Sequence, residues 1–171
     1  MSSCRHVIVM GVSGSGKTTV GQALAGELGF EMIEGDDYHP PENVAKMAAG
    51  TPLTDEDRRP WLQTLAELLS DRHARGQGTV LACSALRRAY RDILRSAVPA
   101  DETFIIQLEA DAQTLRGRME SRRGHYMPPA LLESQLAALE PLHPDERGVI
   151  VDATRPNDVV VAEAISAIRS T

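Results

Sequence analysis

The octapeptide Gly11-Val-Ser-Gly-Ser-Gly-Lys-Thr18 constrains this chain more than any other stretch, because it fits Gly-x-x-x-x-Gly-Lys-[Ser/Thr] and follows directly on the apolar run His6-Val-Ile-Val-Met10. The pattern works only where a strand ends in the loop and a helix leaves it. Downstream, Val20, Ala23, Leu24 and Leu28 recur at helical spacing. A helix should therefore begin near Gly16 and aim its unbonded N–H groups at whatever the loop encloses. Gly11, Gly14 and Gly16 let the backbone curl around an oxyanion, Lys17 can reach outer phosphates, and the Thr18 hydroxyl can take a magnesium position. The loop thus points to nucleoside-triphosphate binding rather than to a glycine-rich turn before an ordinary helix.

The rest of the chain repeats the strand-then-helix rhythm. Apolar runs at 6–10, 30–33, 79–83, 103–108 and 148–151 predict five strands, and helical stripes follow them. Thr54 and Asp57 have the spacing of a capping box ahead of Trp61, Leu62, Leu65, Leu68 and Leu69. Ser84 is the expected cap of the helix carrying Leu86, Ala89, Tyr90, Ile93 and Leu94, and Asp111 that of the helix with Leu115 and Met119. This alternation calls for an α/β fold with a mostly parallel five-stranded sheet covered by helices on both faces. The 171 residues fit a single domain. Two polar, breaker-bearing excursions, 35–60 and 122–130, read as insertions over the carboxyl edge of the sheet. Gly124-His-Tyr-Met-Pro-Pro129 interrupts two helical patterns, so 118–130 is expected to act as a mobile lid.

A net charge of −6 and a pI near 5.4 argue against a general affinity for nucleic acid or anionic membranes. An anionic ligand must then be held by local positive groups. The two cysteines, Cys4 and Cys83, give neither a disulfide framework nor paired metal-ligand spacing. No charged-then-apolar leader pattern precedes the first strand, and no apolar run approaches the ~18 residues of a membrane span. A cytoplasmic protein is expected.

Phosphoryl transfer needs charge neutralisation, in-line positioning and a group that orients or deprotonates the acceptor. Lys17 and Thr18 supply the first. Asp36 follows the second strand, where a carboxylate faces the ligand crevice of an open sheet; it is a candidate base or magnesium ligand, or else a turn residue before Pro40. The usual apolar strand ending in Asp is missing, since 79–83 runs into Cys83-Ser84, and there is no guanine-reading Asn-Lys-x-Asp. Magnesium is left with Thr18, phosphate oxygens, water and Asp36. Arg116, Arg118, Arg122 and Arg123 line one helix. Arg118 and Arg122, four apart, share a face that suits a nucleotide base or the transferring phosphate, or is simply a solvated arginine face. His39, Lys46, Arg58, Arg59, Arg91 and His125 are further cationic or potentially cationic groups near breaker-rich segments. Trp61 and Cys83 read as core residues.

Assembled, these residues resemble the bacterial-type gluconokinases, small P-loop kinases of D-gluconate. The resemblance covers nearly the whole chain and rests on the phosphate loop, on Gly35-Asp-Asp-Tyr-His-Pro40 with Asn43, Lys46-Met47, Gly50 and Pro52-Leu53, on Asp55-Glu-Asp-Arg-Arg-Pro-Trp-Leu62, on Cys83-Ser-Ala-Leu86 with Tyr90-Arg-Asp92, and on Arg123-Gly-His-Tyr-Met-Pro128. It implies a nucleoside-monophosphate-kinase-like fold, ATP and Mg²⁺ as cosubstrates, 6-phosphogluconate as product and a homodimer. On that resemblance Gly11, Ser13, Gly14, Ser15, Gly16, Lys17, Thr18, Thr19 and Arg118 hold the nucleotide, with Thr18 at the metal. Lys17, Asp36 and Arg122 serve catalysis, Asp36 receiving the sugar hydroxyl. His39, Lys46, Arg58, Arg91 and His125 are the candidates for the gluconate pocket. Two other readings stay open: a kinase of the same scaffold for another acceptor such as shikimate, and a nucleotide-binding module without activity.

Overall fold

In the computed structural model, residues 3–121 and 129–171 are described. Five strands, β1 (His6–Met10), β2 (Glu31–Glu34), β3 (Thr79–Ala82), β4 (Thr103–Glu109) and β5 (Gly148–Asp152), form one sheet in the order β2-β3-β1-β4-β5. Every pairing is parallel, as the apolar strands predicted. The helices are α1 (Lys17–Leu28), α2 (Pro41–Ala48), α3 (Asp55–Ala74), α4 (Arg88–Arg95), α5 (Ala112–Glu120), α6 (Pro129–Ala138) and α7 (Asn157–Arg169).

Side chains alternate across a strand, so the wholly buried β1 feeds two cores at once. Val7 and Val9 join Val20 and Leu24 of α1 and Val160 and Ile165 of α7 on one face of the sheet. Ile8 and Met10 join Trp61, Leu65 and Leu69 of α3 and Leu94 of α4 on the other. Burying side chains of this size contributes about 1.5–3 kcal/mol each, so the central strand is anchored from both sides. From β1 the chain crosses to the β2 edge, whereas from β3 it crosses back to β4. The reversal opens a crevice at the carboxyl ends of β1 and β3, which is where ligands enter such sheets.

The predicted caps of α3 and α5 form. Asp57 N–H donates to Thr54 Oγ1 at 3.1 Å while Thr54 N–H donates to Asp57 Oδ2 at 2.9 Å, and Thr114 N–H donates to Asp111 Oδ1 at 2.7 Å. Ser84 does not cap α4, which starts four residues later behind Arg87. The intervening chain is tied down on both sides and bent at its middle: Leu86 O accepts from Glu140 N–H at 2.7 Å, Gly11 N–H donates to Ser84 O at 3.3 Å, and Ala85 adopts a left-handed φ of 44°. The 35–60 insertion folds as a 3-10 turn over Gly35–Tyr38, then α2 and the first turns of α3. The centre of the expected lid, with Arg122 and His125, lies outside the described residues.

Candidate active site

The phosphate loop leaves β1 and enters α1 through Gly16, whose φ of 95° is the left-handed conformation that side chains resist. A Cβ there would meet nothing within 4 Å, so the dihedral alone demands glycine. Lys17 Nζ donates to Val12 O at 3.1 Å, back across the loop. Ser15 Oγ is buried inside the loop with no hydrogen-bond partner, which suits a site meant to receive an oxyanion's oxygen. On one side of the loop a cavity of about 560 Å³ is lined by Gly14, Gly16, Thr19, Arg118, Thr154 and Asn157. Arg118 braces it, its guanidinium donating to Gly14 O at 3.4 Å and to Ala153 O.

A second cavity, about 500 Å³, opens on the other side of the loop and brings Ser13, Lys17, Asp36, His39, Arg58 and Gln135 to one wall system. Its carboxylate end is built by close approach. A Cβ on Gly35 would lie 2.6 Å from Ala82 O, so only glycine lets the turn after β2 press against β3, and Trp61 Nε1–H donates to Gly35 O at 2.8 Å from below. His39 stacks on Trp61, with ring centroids 4.0 Å apart and planes 17° apart, and its Nε2 lies 3.9 Å from Asp36 Oδ1. Burial pushes the His39 imidazole down, against the pull of Asp36, so it stays neutral near pH 7. At the other end Arg58 is fixed by Tyr90: its guanidinium donates to the Tyr90 hydroxyl at 3.1 Å and lies 5.4 Å from the ring centre, while that hydroxyl donates to Asp55. Gln135, from α6, accepts the Ser13 N–H at 2.7 Å and so links α6 to the phosphate loop.

Glu34 was not foreseen. As the last residue of β2 it accepts the Thr18 hydroxyl at 2.5 Å, putting a carboxylate beside the position where the loop motif places magnesium. Two carboxylates, Glu34 as the last residue of β2 and Asp36 in the turn after it, thus flank Gly35 on the strand next to β3, whose own end carries no Asp. The sequence signal was there: a charged residue closing an apolar strand just ahead of Gly35.

Two candidates for the acceptor pocket go elsewhere. Lys46 bonds Asp57 Oδ2 at 2.8 Å, outside the cavity lining, and thereby holds the Asp57 carboxyl down at about 2 within the capping box of α3. Arg91 is 0% exposed. It makes two bonds to Glu146, Nε to Oε2 at 2.7 Å and Nη2 to Oε1 at 2.9 Å, and a third to Ala85 O at 2.9 Å. Its charge is consumed inside the protein, where it clamps the loop after β3, so it cannot meet a substrate carboxylate. Cys83 is core, as expected; burial, with the nearby Asp36 charge, pushes its thiol up to about 12, which leaves no thiolate nucleophile at neutral pH.

A parallel sheet of this order, its central strand running into a phosphate loop with a cavity on each side, defines a P-loop kinase. The chain matches the AAA domain family over residues 7–142. It is 47% identical over 163 residues to the gluconokinase of Gluconobacter oxydans (strain 621H), covering 94% of this chain and 89% of the relative. It is 37% identical over 174 residues to the thermoresistant gluconokinase of Escherichia coli (strain K12), covering 99% and 98%. The crystal structure of a gluconokinase from Sinorhizobium meliloti 1021 superposes with a TM-score of 0.90 at 43% identity over 99% of this chain and 94% of that one. A shikimate kinase from Acinetobacter baumannii, at 18% identity and a TM-score of 0.66, shares the fold alone. The chain belongs to the gluconokinase family.

Proposed function

We propose that this protein transfers the terminal phosphoryl group of ATP to the terminal hydroxyl of D-gluconate, giving 6-phosphogluconate and ADP. One observation carries the reading beyond the relatives' names: the cavity opposite the nucleotide side holds a carboxylate, Asp36, and a fixed cation, Arg58, along a wall shared with Lys17. A hydroxylated carboxylic acid needs both, a cation for its anionic end and an acceptor for the proton of its reacting hydroxyl.

In this reading the phosphate loop and Lys17 hold the phosphates and stabilise the charge that builds on the transferred group. Asp36 accepts a hydrogen bond from the attacking hydroxyl and takes its proton. His39, neutral and pinned on Trp61, keeps that wall in place. Magnesium would be held by the Thr18 hydroxyl with Glu34 as the outer carboxylate, a donor set that suits an ion preferring oxygen ligands, and it would neutralise phosphate charge. Arg118 stays on the ATP side of the loop; Arg122 and His125 are candidates for phosphate and acceptor contacts. The chain is also taken to be a cytoplasmic homodimer; no described helix is long and apolar enough to cross a membrane. ADP release measured with gluconate, shikimate, AMP and glycerate as acceptors tests the assignment. Gluconate should exceed the others by orders of magnitude, and turnover fastest with shikimate or AMP would overturn it.

Two substitutions probe the parts separately. Arg58→Ala removes a charge-assisted contact worth about 1.5–3 kcal/mol, so the KM for gluconate should rise about 10–150-fold with a much smaller change in kcat. An unchanged KM would place the substrate carboxylate elsewhere. Glu34→Gln keeps an oxygen to accept from Thr18 but loses the charge; the magnesium concentration for half-maximal turnover should rise about 10–100-fold, the usual effect of losing a carboxylate behind a metal ligand. Superimposable magnesium titrations would remove Glu34 from that role.

A further inference from the structure

At the amino edge of the sheet, the end opposite the phosphate loop, three metal-ligating side chains converge from separate elements. His6 opens β1, His73 sits in the last turn of α3, and Glu102 precedes β4. Their nearest ligand atoms all lie within 4.8 Å of one another: His6 Nε2 is 3.1 Å from His73 Nδ1, which is 3.6 Å from Glu102 Oε2. A tetrahedral zinc ion with bonds of about 2.0–2.1 Å spaces its ligands about 3.3 Å apart, so two of the three edges already fit.

We propose that His6, His73 and Glu102 form a zinc-class divalent cation site, distinct from the magnesium position of the kinase reaction.

Proton counting at the cluster supports this. The His6 ring is fully enclosed, and its Nδ1 lies 2.9 Å from Thr79 Oγ1. With Nδ1–H donating to that hydroxyl, Nε2 presents its lone pair to His73, the arrangement by which an outer partner fixes the tautomer of a metal-binding imidazole. A single proton on His73 Nδ1 can serve only one neighbour. It bonds His6, and Glu102 Oε2 is left buried with no hydrogen-bond partner. Arg5 Nε is 3.9 Å from that oxygen, too far for a hydrogen bond, and is the one competing cation among the described contacts. A divalent ion taking the place of the His73 proton bonds all three atoms and removes the orphan. Two imidazoles and one carboxylate favour zinc and its neighbours over magnesium or calcium. Side-chain exposures of 31% at His73 and 27% at Glu102 leave a way in and room for a water as fourth ligand. Such an ion would tie the start of β1 to α3 and to the turn before β4, a stabilising role remote from phosphoryl transfer.

The test is zinc titration of the chelator-treated full-length chain without nucleotide, by calorimetry and by competition with a chromogenic chelator. The expected result is one equivalent bound in the micromolar range or tighter, a higher melting temperature, and the visible absorption of four-coordinate cobalt when Co²⁺ replaces zinc. His73→Ala and Glu102→Gln, chosen because both side chains are partly exposed, should each weaken binding about tenfold or more. His143→Ala, on the exposed loop after α6, should leave it unchanged. No bound equivalent, or binding that survives both substitutions, overturns the site. Kinase turnover with gluconate is read separately, so loss of this proposal leaves the assigned reaction standing.

Discussion

Asp36→Asn is expected to lower the rate of gluconate phosphorylation by about two to four powers of ten, the usual worth of a positioned base. Asn keeps the shape and one acceptor oxygen while losing charge and basicity. Asp36 sits one residue past Gly35, whose carbonyl is gripped by Trp61, so the substitution should not disturb the wall of the cavity. ATP affinity should change much less, because the cavity proposed for the nucleotide is lined from the other side of the loop. The measurement is steady-state kinetics with gluconate alongside direct ATP binding at two magnesium concentrations. A defect that shrinks as magnesium is raised, with nucleotide affinity falling in parallel, would move Asp36 from base to metal ligand. Retention of more than roughly a third of wild-type turnover would defeat both roles, since either should cost over ~1 kcal/mol in the transition state.

The second large effect is on stability. Removing one partner of the buried Arg91–Glu146 pair strands a charge in the interior, so Glu146→Gln or Arg91→Ala should cost about 3–5 kcal/mol. For a chain of this size that is a fall in melting temperature of roughly 6–20 °C. Replacing both by apolar residues of similar volume should recover much of the loss. The same pair predicts acid sensitivity. Burial alone would raise the Glu146 carboxyl, but the Arg91 guanidinium and the His143 N–H outweigh it and hold it below the ordinary range. A carboxyl depressed in the folded state contributes stability above its unfolded pKa and loses it as pH falls through the folded one, so Glu146→Gln should flatten the acid limb of the stability curve. Calorimetric melting across pH checks both statements. An unchanged melting temperature with a raised KM for gluconate would instead restore Arg91 to the acceptor pocket.

These two predictions mark where sequence and structure part. Strands, the phosphate loop, the Thr54–Asp57 box and the Asp111 cap were legible because each is decided by residues within one turn or one strand of each other. The 3.6 and 2.0 periodicities and the dihedral needs of Gly16 do not wait on the rest of the chain. Gly35-Asp36 was also readable as a site, because a polar group after an apolar parallel strand faces the crevice whatever the details. Which cation shares the cavity with Asp36 was not readable. Arg58, Lys46 and Arg91 all stand in breaker-rich segments of the right motifs, and their destinations were set by Tyr90, Asp57 and Glu146, partners 32, 11 and 55 residues away. The role of Glu34 is hidden in the sequence for a related reason: its meaning depends on the fold setting the end of β2 against the start of α1, so that its carboxylate meets the Thr18 hydroxyl. By itself the sequence determined the loop that binds phosphate, the parallel sheet that presents it and the family to which the chain belongs. The tertiary structure alone decided which charges line the cavity beside the phosphate loop and which are spent holding the loop after β3, because desolvating a charge is tolerable only beside a partner, and local spacing does not encode partners distant along the chain.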